Sequence, residues 1–157
     1  MLDTPHISFS AAQPLAVIRL TATREQLPDA ISLAISELLA TLAALDVEPA
    51  GPWFKRHLRW GSTQFEVEVE VGVPVPAPVA PSGRVRAGQM AAVRVARAVY
   101  HGAYEGLPEA WQEFDAWLGQ TGLKTGRDWW DSYAVGPESS DDADDWRTEL
   151  CRPLVLA

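Results

Sequence analysis

The apolar positions of this chain change period several times, and each change marks an element. Residues 15–21 (LAVIRLT) form an apolar, β-branched run of strand length. After it, Leu27, Ile31, Ile35, Leu38, Leu42 and Leu45 recur at spacings of three and four, which predicts a helix from about Gln26 to Ala44. Pro28 suits the first turn of that helix, and Glu25 and Asp29 complement the positive end of its dipole. Gly51-Pro52 reads as a turn, Trp53 to Trp60 as a strand, Gly61-Ser62 as a second turn, and Phe65 to Val71 as a strand of strict alternation. Residues 74–83 (PVPAPVAPSG) hold four prolines and read as an extended connector. The pattern then restarts with one long strand from Gln89 to Tyr100. A helix follows in LPEAWQEFDAWLGQTGL, with Leu107, Trp111, Phe114 and Leu118 on one face, then strands in RDWWDSYAV and DWRTELCRPLVL.

Both halves therefore run strand, helix, strand, strand, and residues match as well as order. Leu27-Pro28-Asp29-Ala30 recurs as Leu107-Pro108-Glu109-Ala110, Trp53-Phe54 as Trp129-Trp130, and Pro74 as Pro153. The shorter offset at the tryptophans predicts a first helix about one turn longer than the second. One βαββ unit cannot bury its sheet alone, so the expected fold is α+β: duplicated βαββ units forming one curved antiparallel sheet with two helices packed on it. Repeat one spans about 14–76 and repeat two about 88–155, with the connector at about 74–83, all in a single domain over 1–157.

Composition narrows the setting. A chain of 157 residues that is 47% apolar and 22% charged suits one globular domain. Its 13 basic and 21 acidic residues give a net charge of −8, the wrong sign for direct nucleic-acid binding. No unbroken apolar run approaches the roughly 18 residues of a membrane span, and MLDTPHISFSAAQP lacks the basic start and apolar stretch of a signal peptide. No membrane association is expected, and the single cysteine, Cys151, points to a reducing cytoplasm. His6, His57 and His101 show no metal-ligand spacing with Cys151, and the run Asp141, Asp142, Asp144, Asp145 lacks the glycine and terminal glutamate of a calcium loop. No metal and no cofactor is expected. Lys55, Arg56, His57 and Arg59 divide between the faces of their strand and read as solvated.

The candidate chemistry lies on the last strands. Period two puts Trp146, Thr148 and Leu150 on one face and Arg147, Glu149 and Cys151 on the other. In the repeat register Glu149 falls on Glu70, so two carboxylates are expected at pseudo-symmetric positions near a cleft between the halves; for Glu70 an ordinary solvated face is an equal reading. Trp129, Asp131 and Tyr133 share one face of their strand and Trp130 and Ser132 the other, so one tryptophan is left over from helix packing. Rings around a carboxylate would suit a planar or lipophilic cation, at about 0.5–2 kcal/mol per cation–π contact.

HGAYEGLPEAWQEFDAWL, then WWDSY, then DWRTELCRPL, resembles the GyrI-like effector-binding family, and GPWFKRH with FEVEVEVGVPV is similar to that family's first half. The resemblance covers about Pro14 to Leu154. It implies βαββ repeats of the SHS2 type and a stand-alone relative of the ligand-sensing domains of multidrug-responsive transcription activators. The expected partner is a lipophilic, often cationic or aromatic, small molecule. At matching positions, Glu149 is the acidic ligand contact, and Tyr104 and Tyr133 line or close the pocket. Trp129 joins them by strand parity, with Trp111 from the helix and Glu70 from the first repeat. Some members hydrolyse cyclopropane-bearing electrophiles; in that alternative Glu149 acts as general base and Tyr104 or Tyr133 as proton or hydrogen-bond donor. A gyrase-interacting inhibitor is a third reading. The oligomeric state stays open.

Overall fold

A computed structural model describes residues 1–60 and 66–155. The expected turn at Gly61-Ser62, the expected strand start at Phe65, and the side chains of Arg59 and Trp60 lie outside the described residues. The elements are β1 (His6–Ser10), β2 (Gln13–Thr23), α1 (Leu27–Ala44), β3 (Phe54–Trp60), β4 (Glu66–Pro74), β5 (Arg86–Met90), β6 (Val93–His101), α2 (Leu107–Thr121), β7 (Trp129–Val135) and β8 (Arg147–Pro153). The fold is α+β, and the described strand pairings are all antiparallel. In the strand order β1-β6-β8-β7-β3-β4-β2-β5, the first four strands belong to one compact unit, Met1–Ser10 with Val93–Ala157, and the last four to the other, Ala11–Ala92.

In the α1 unit, the alternation of β4 works as its sequence requires. Val67, Val69, Val71 and Val73 turn toward α1 and are buried with Ala16, Ile18 and Leu20 of β2 and Ala34, Leu38 and Leu42 of the helix. Each valine, leucine or isoleucine among them contributes roughly 1.5–3 kcal/mol by leaving water, which offsets the β-branched residues' cost in freedom. The helix stops where Asp46 turns to φ 59° and Val47 donates its N–H to the Leu42 carbonyl at 2.9 Å, a left-handed closure that also seats Val47 against the core. Against the expectation from run length, the 18 residues of α1, at mean hydropathy 1.4, are long and apolar enough to cross a membrane by length and composition. Isolated serines and Glu37 break the run without making the helix polar; here Ala34, Leu38 and Leu42 are buried on strands.

The α2 unit repeats the plan with a different core. Small residues on β6, Ala96 and Ala98, leave room for Phe114, which is fully buried with Ala110, Leu118, Leu150 and Tyr100. Gly122, at φ 71°, ends the helix, which has 15 residues against 18 for α1. Gly106 stands at its start because a Cβ there would lie 2.0 Å from the Tyr100 hydroxyl, which donates to the Ala103 carbonyl at 2.8 Å.

Two strands depart from the sequence reading. The long strand expected from Gln89 to Tyr100 is broken at Ala91-Ala92 into β5 and β6, and β1 was not anticipated. β5 is short, largely exposed and without the alternation that marks a half-buried strand, while β1 alternates over only five residues and leaves Phe9 exposed. They are also a repeat pair, since His6, Ser8 and Ser10 lie 80 residues before Arg86, Gly88 and Met90. Each pairs with the first long strand of the other repeat. β1 leads into β2 but lies against β6, His6 opposite Arg97; β5 leads into β6 but lies against β2, Arg86 opposite Val17. Each unit thus takes its edge strand from the other repeat.

Candidate functional site

Glu149 and Glu70 occupy equivalent places. Glu149 on β8 lies between Val99 of β6 and Ser132 of β7. Glu70 on β4 lies between Arg19 of β2 and Arg56 of β3. Both project from the strand face opposite their helix, because their neighbours Leu150 and Val69 and Val71 are the residues packed beneath α2 and α1.

Their surroundings differ. Arg97 of β6 holds Glu149, with Nη1 donating to the carboxylate at 2.6 Å and to Cys151 Sγ at 3.6 Å. The same guanidinium donates through Nε to Ser8 Oγ at 2.9 Å and through Nη2 to Ser10 Oγ. Trp130, buried, stands opposite Cys151 on this face. In the other unit Glu70 is held from the opposite side, by Arg56 of β3, whose Nη1 also reaches Met90 Sδ at 3.4 Å. Glu70 keeps only 7% of its side chain exposed, whereas Glu149 keeps 31%. Burial first, and the Glu149 carboxylate second, push the Cys151 thiol well above its ordinary pKa, so it stays protonated and is no nucleophile.

The other candidate residues gather on the α2 side. Trp111 donates its indole N–H to Asp131 at 2.7 Å, and the Tyr133 hydroxyl lies 3.4 Å from the second carboxylate oxygen. Asp131 is only 3% exposed, a buried carboxyl group that these contacts help to satisfy. Trp129 meets Trp111 edge-on at 4.8 Å, while Tyr104 meets Tyr133 at 5.7 Å and Trp146 at 5.0 Å. Burial raises the pKa of both phenols, helped by Asp131 at Tyr133 and by Glu138 at Tyr104, so both are hydrogen-bond donors at neutral pH.

The structure therefore brings Tyr104 and Tyr133 together, and Trp111 and Trp129, but sets all four on the face opposite Glu149. The ring on the Glu149 face is Trp130, which the sequence reading left aside in favour of Trp129. The parity of β7 held both choices open; the hydrogen bond from Trp111 to Asp131 decides between them. Arg97, Ser8 and Ser10 were also missed, and only the strand exchange puts the two serines beside Arg97.

The basic cluster of β3 is not the solvated face expected. Arg56 is ion-paired with Glu70 and mostly buried, and burial, with the charge of Lys55 second, lowers the pKa of His57 from 6.5 to about 3. The unfolded chain titrates near 6.5, so the stability that neutral His57 confers is complete above that pH and is lost as pH falls toward 3. Melting temperature is expected to drop more steeply between pH 6.5 and pH 4 in the natural protein than in His57→Gln. Parallel curves in the two proteins would refute this.

Among the described residues, no three His, Cys, Asp or Glu side chains are grouped to hold a metal ion. What remains is an α+β domain of duplicated βαββ units with an arginine-paired carboxylate on a strand face of each. The model of the GyrI-like small molecule binding domain matches residues 4–155, and the chain belongs to that family. Among solved structures it is similar to EcmrR in its DNA complex, with TM-score 0.86 and 15% identity over 98% of this chain and 58% of that one. The chain thus spans little more than half of EcmrR. SAV2435 bound to tetraphenylphosphonium matches with TM-score 0.67 and 12% identity, over 98% of this chain and 94% of that one. A hydrolase from Listeria innocua matches with TM-score 0.67 and 13% identity, over 96% and 91%. At these identities the likeness is one of fold. No curated protein matches the sequence.

Proposed function

We propose that this chain binds lipophilic small molecules, often cationic or aromatic, at the strand face around Glu149, with Glu149 as acidic anchor beside the buried Trp130. The observation that carries the reading is the asymmetry of the two carboxylates: Glu149 retains 31% of its side-chain exposure, while Glu70 at 7% is closed off by Arg56. The tetraphenylphosphonium held by SAV2435 is a lipophilic cation on the same fold and supports the ligand class. Tyr104, with part of its ring exposed beside Tyr133 and Trp146, is a separate aromatic surface on the other face of the strands. Trp111, Trp129 and Glu70 then act mainly by holding α2 and β4 in place. A net charge of −8 supports the absence of direct nucleic-acid binding, and the free Cys151 supports a cytoplasmic setting.

Titration with rhodamine 6G, read by tryptophan fluorescence, is expected to give saturable quenching, weakened by about tenfold in Glu149→Gln through loss of the counter-charge. No saturable change with several such dyes would remove the reading. Hydrolysis of a cyclopropane-bearing electrophile has the Listeria hydrolase's fold in its favour, but Tyr104 and Tyr133 lie across the strands from Glu149 and are poorly placed to donate to the same substrate.

A further inference from the structure

We infer that Arg97 is a built-in counter-ion for the Glu149 site and sets which ligands it accepts, holding back strongly cationic guests relative to neutral ones of the same shape. This rests on the proposal that small molecules bind at Glu149. The guanidinium is anchored at three of its nitrogens: Nε to Ser8, Nη2 to Ser10, and Nη1 to Glu149 at 2.6 Å and Cys151. A forked, planar cation gripped from several sides stays in place with little further loss of freedom.

The pseudo-symmetric unit shows that the grip is particular to this site. Val17 stands where Arg97 stands here, and Gly88 and Met90 replace Ser8 and Ser10. There the carboxylate is covered from the β3 side by Arg56, whereas the matching residue on β7 is the small Ser132. Among the described residues, Glu149 is thus paired with Arg97 on its β6 flank, takes the Cys151 thiol at 3.5 Å, and has the small Ser132 beside it on β7. A guest approaching along β7 meets a carboxylate whose charge is already shared, and a full positive charge must compete with the fixed guanidinium. A neutral aromatic guest does not.

The test compares rhodamine 6G, a planar cation, with Nile red, a planar neutral dye, on the full chain and on Arg97→Met. The variant is expected to bind rhodamine 6G about tenfold more tightly, while Nile red changes by less than about threefold. Arg97→Met with Glu149→Gln should return the ratio toward the natural one. An unchanged ratio in a folded Arg97→Met protein, or a loss of both dyes in parallel, overturns the inference while leaving the binding reading standing. Absence of saturable binding of either dye to every protein overturns both. Where Arg97→Met does not fold, Ser8→Ala with Ser10→Ala keeps the charge but frees the guanidinium. It should shift the ratio in the same direction by a smaller factor, and no shift there overturns the inference.

Discussion

Phe114→Ala is expected to remove about 3–5 kcal/mol of stability, the range for emptying a fully buried phenylalanine site. Phe114 is 0% exposed and is the largest side chain so enclosed. It sits beneath α2, 5.6 Å from Trp111 and 6.3 Å from Trp117 between ring centres, over the small Ala96 and Ala98 of β6. Those alanines are short and fixed to a strand, so the strand side cannot extend into the space left by the ring. A domain of this length shifts its melting temperature by roughly 2–4 °C per kcal/mol, so a fall of about 10 °C is expected. Urea unfolding followed by tryptophan fluorescence measures the free energy directly, and Phe114→Leu should recover more than half of the loss. A change below about 1 kcal/mol for the alanine variant would show that α2 does not depend on this contact.

Gly72→Ala is the second large effect, about 2–3 kcal/mol, and arises from crowding rather than loss. A Cβ at this position would lie 2.8 Å from Phe54 Cζ, 2.8 Å from Val17 Cγ1 and 2.9 Å from the Ala16 carbonyl oxygen. Phe54 and Val17 are its direct partners on β3 and β2, so their side chains close over the glycine from both flanks. Side chains could rotate away; the carbonyl of a paired strand cannot move without disturbing hydrogen bonds. Thermal melts should therefore show Gly72→Ala only partly rescued by Val17→Ala, and Gly72→Val unfolded at room temperature. Full rescue by Val17→Ala would mean that the backbone contact costs nothing. Cys151 is the natural control, because it occupies the equivalent place between Trp130 and Arg97 and already carries a Cβ. Cys151→Ala should cost about 1 kcal/mol or less.

Comparison of these two positions shows how the two units differ. In the α1 unit the face away from the helix is filled by apolar contact, Phe54 and Val17 closing on Gly72, with Glu70 sealed by Arg56. In the α2 unit the same places hold Trp130, Arg97 and Cys151, and Glu149 remains partly open. The helix sides differ as well. Val69, Lys55 and His57 of the α1 unit correspond to Thr148, Asp131 and Tyr133, so the second unit has an acidic and phenolic, hydrogen-bonded seam where the first has a valine and two basic side chains. Thr148 Oγ1 is buried in that seam without a hydrogen-bond partner among the described residues.

The sequence by itself determined the two βαββ repeats, the longer first helix, and the equivalence of Glu70 with Glu149. These are written in local periodicity: threes and fours for α1 and α2, twos for β4 and β8, and turn residues between. Burial of one face forces such segments into a single arrangement, so the pattern is enough. Tertiary structure decided everything that depends on which strand lies beside which. β5 carries no period and β1 alternates over only five residues; both are edge strands, held largely by hydrogen bonds to partners about 80 residues away in sequence. Their exchange between repeats brings Ser8 and Ser10 to Arg97, which the pairing of β6 with β8 sets beside Glu149. The face taken by each aromatic of β7 was equally undetermined, since alternation separates Trp129 from Trp130 without saying which meets the helix. The indole of Trp111, reaching Asp131, made that choice, leaving Trp130 on the side of the open carboxylate. Local pattern is sufficient where burial selects one face; pairing between distant segments is set by contacts that only the folded chain contains.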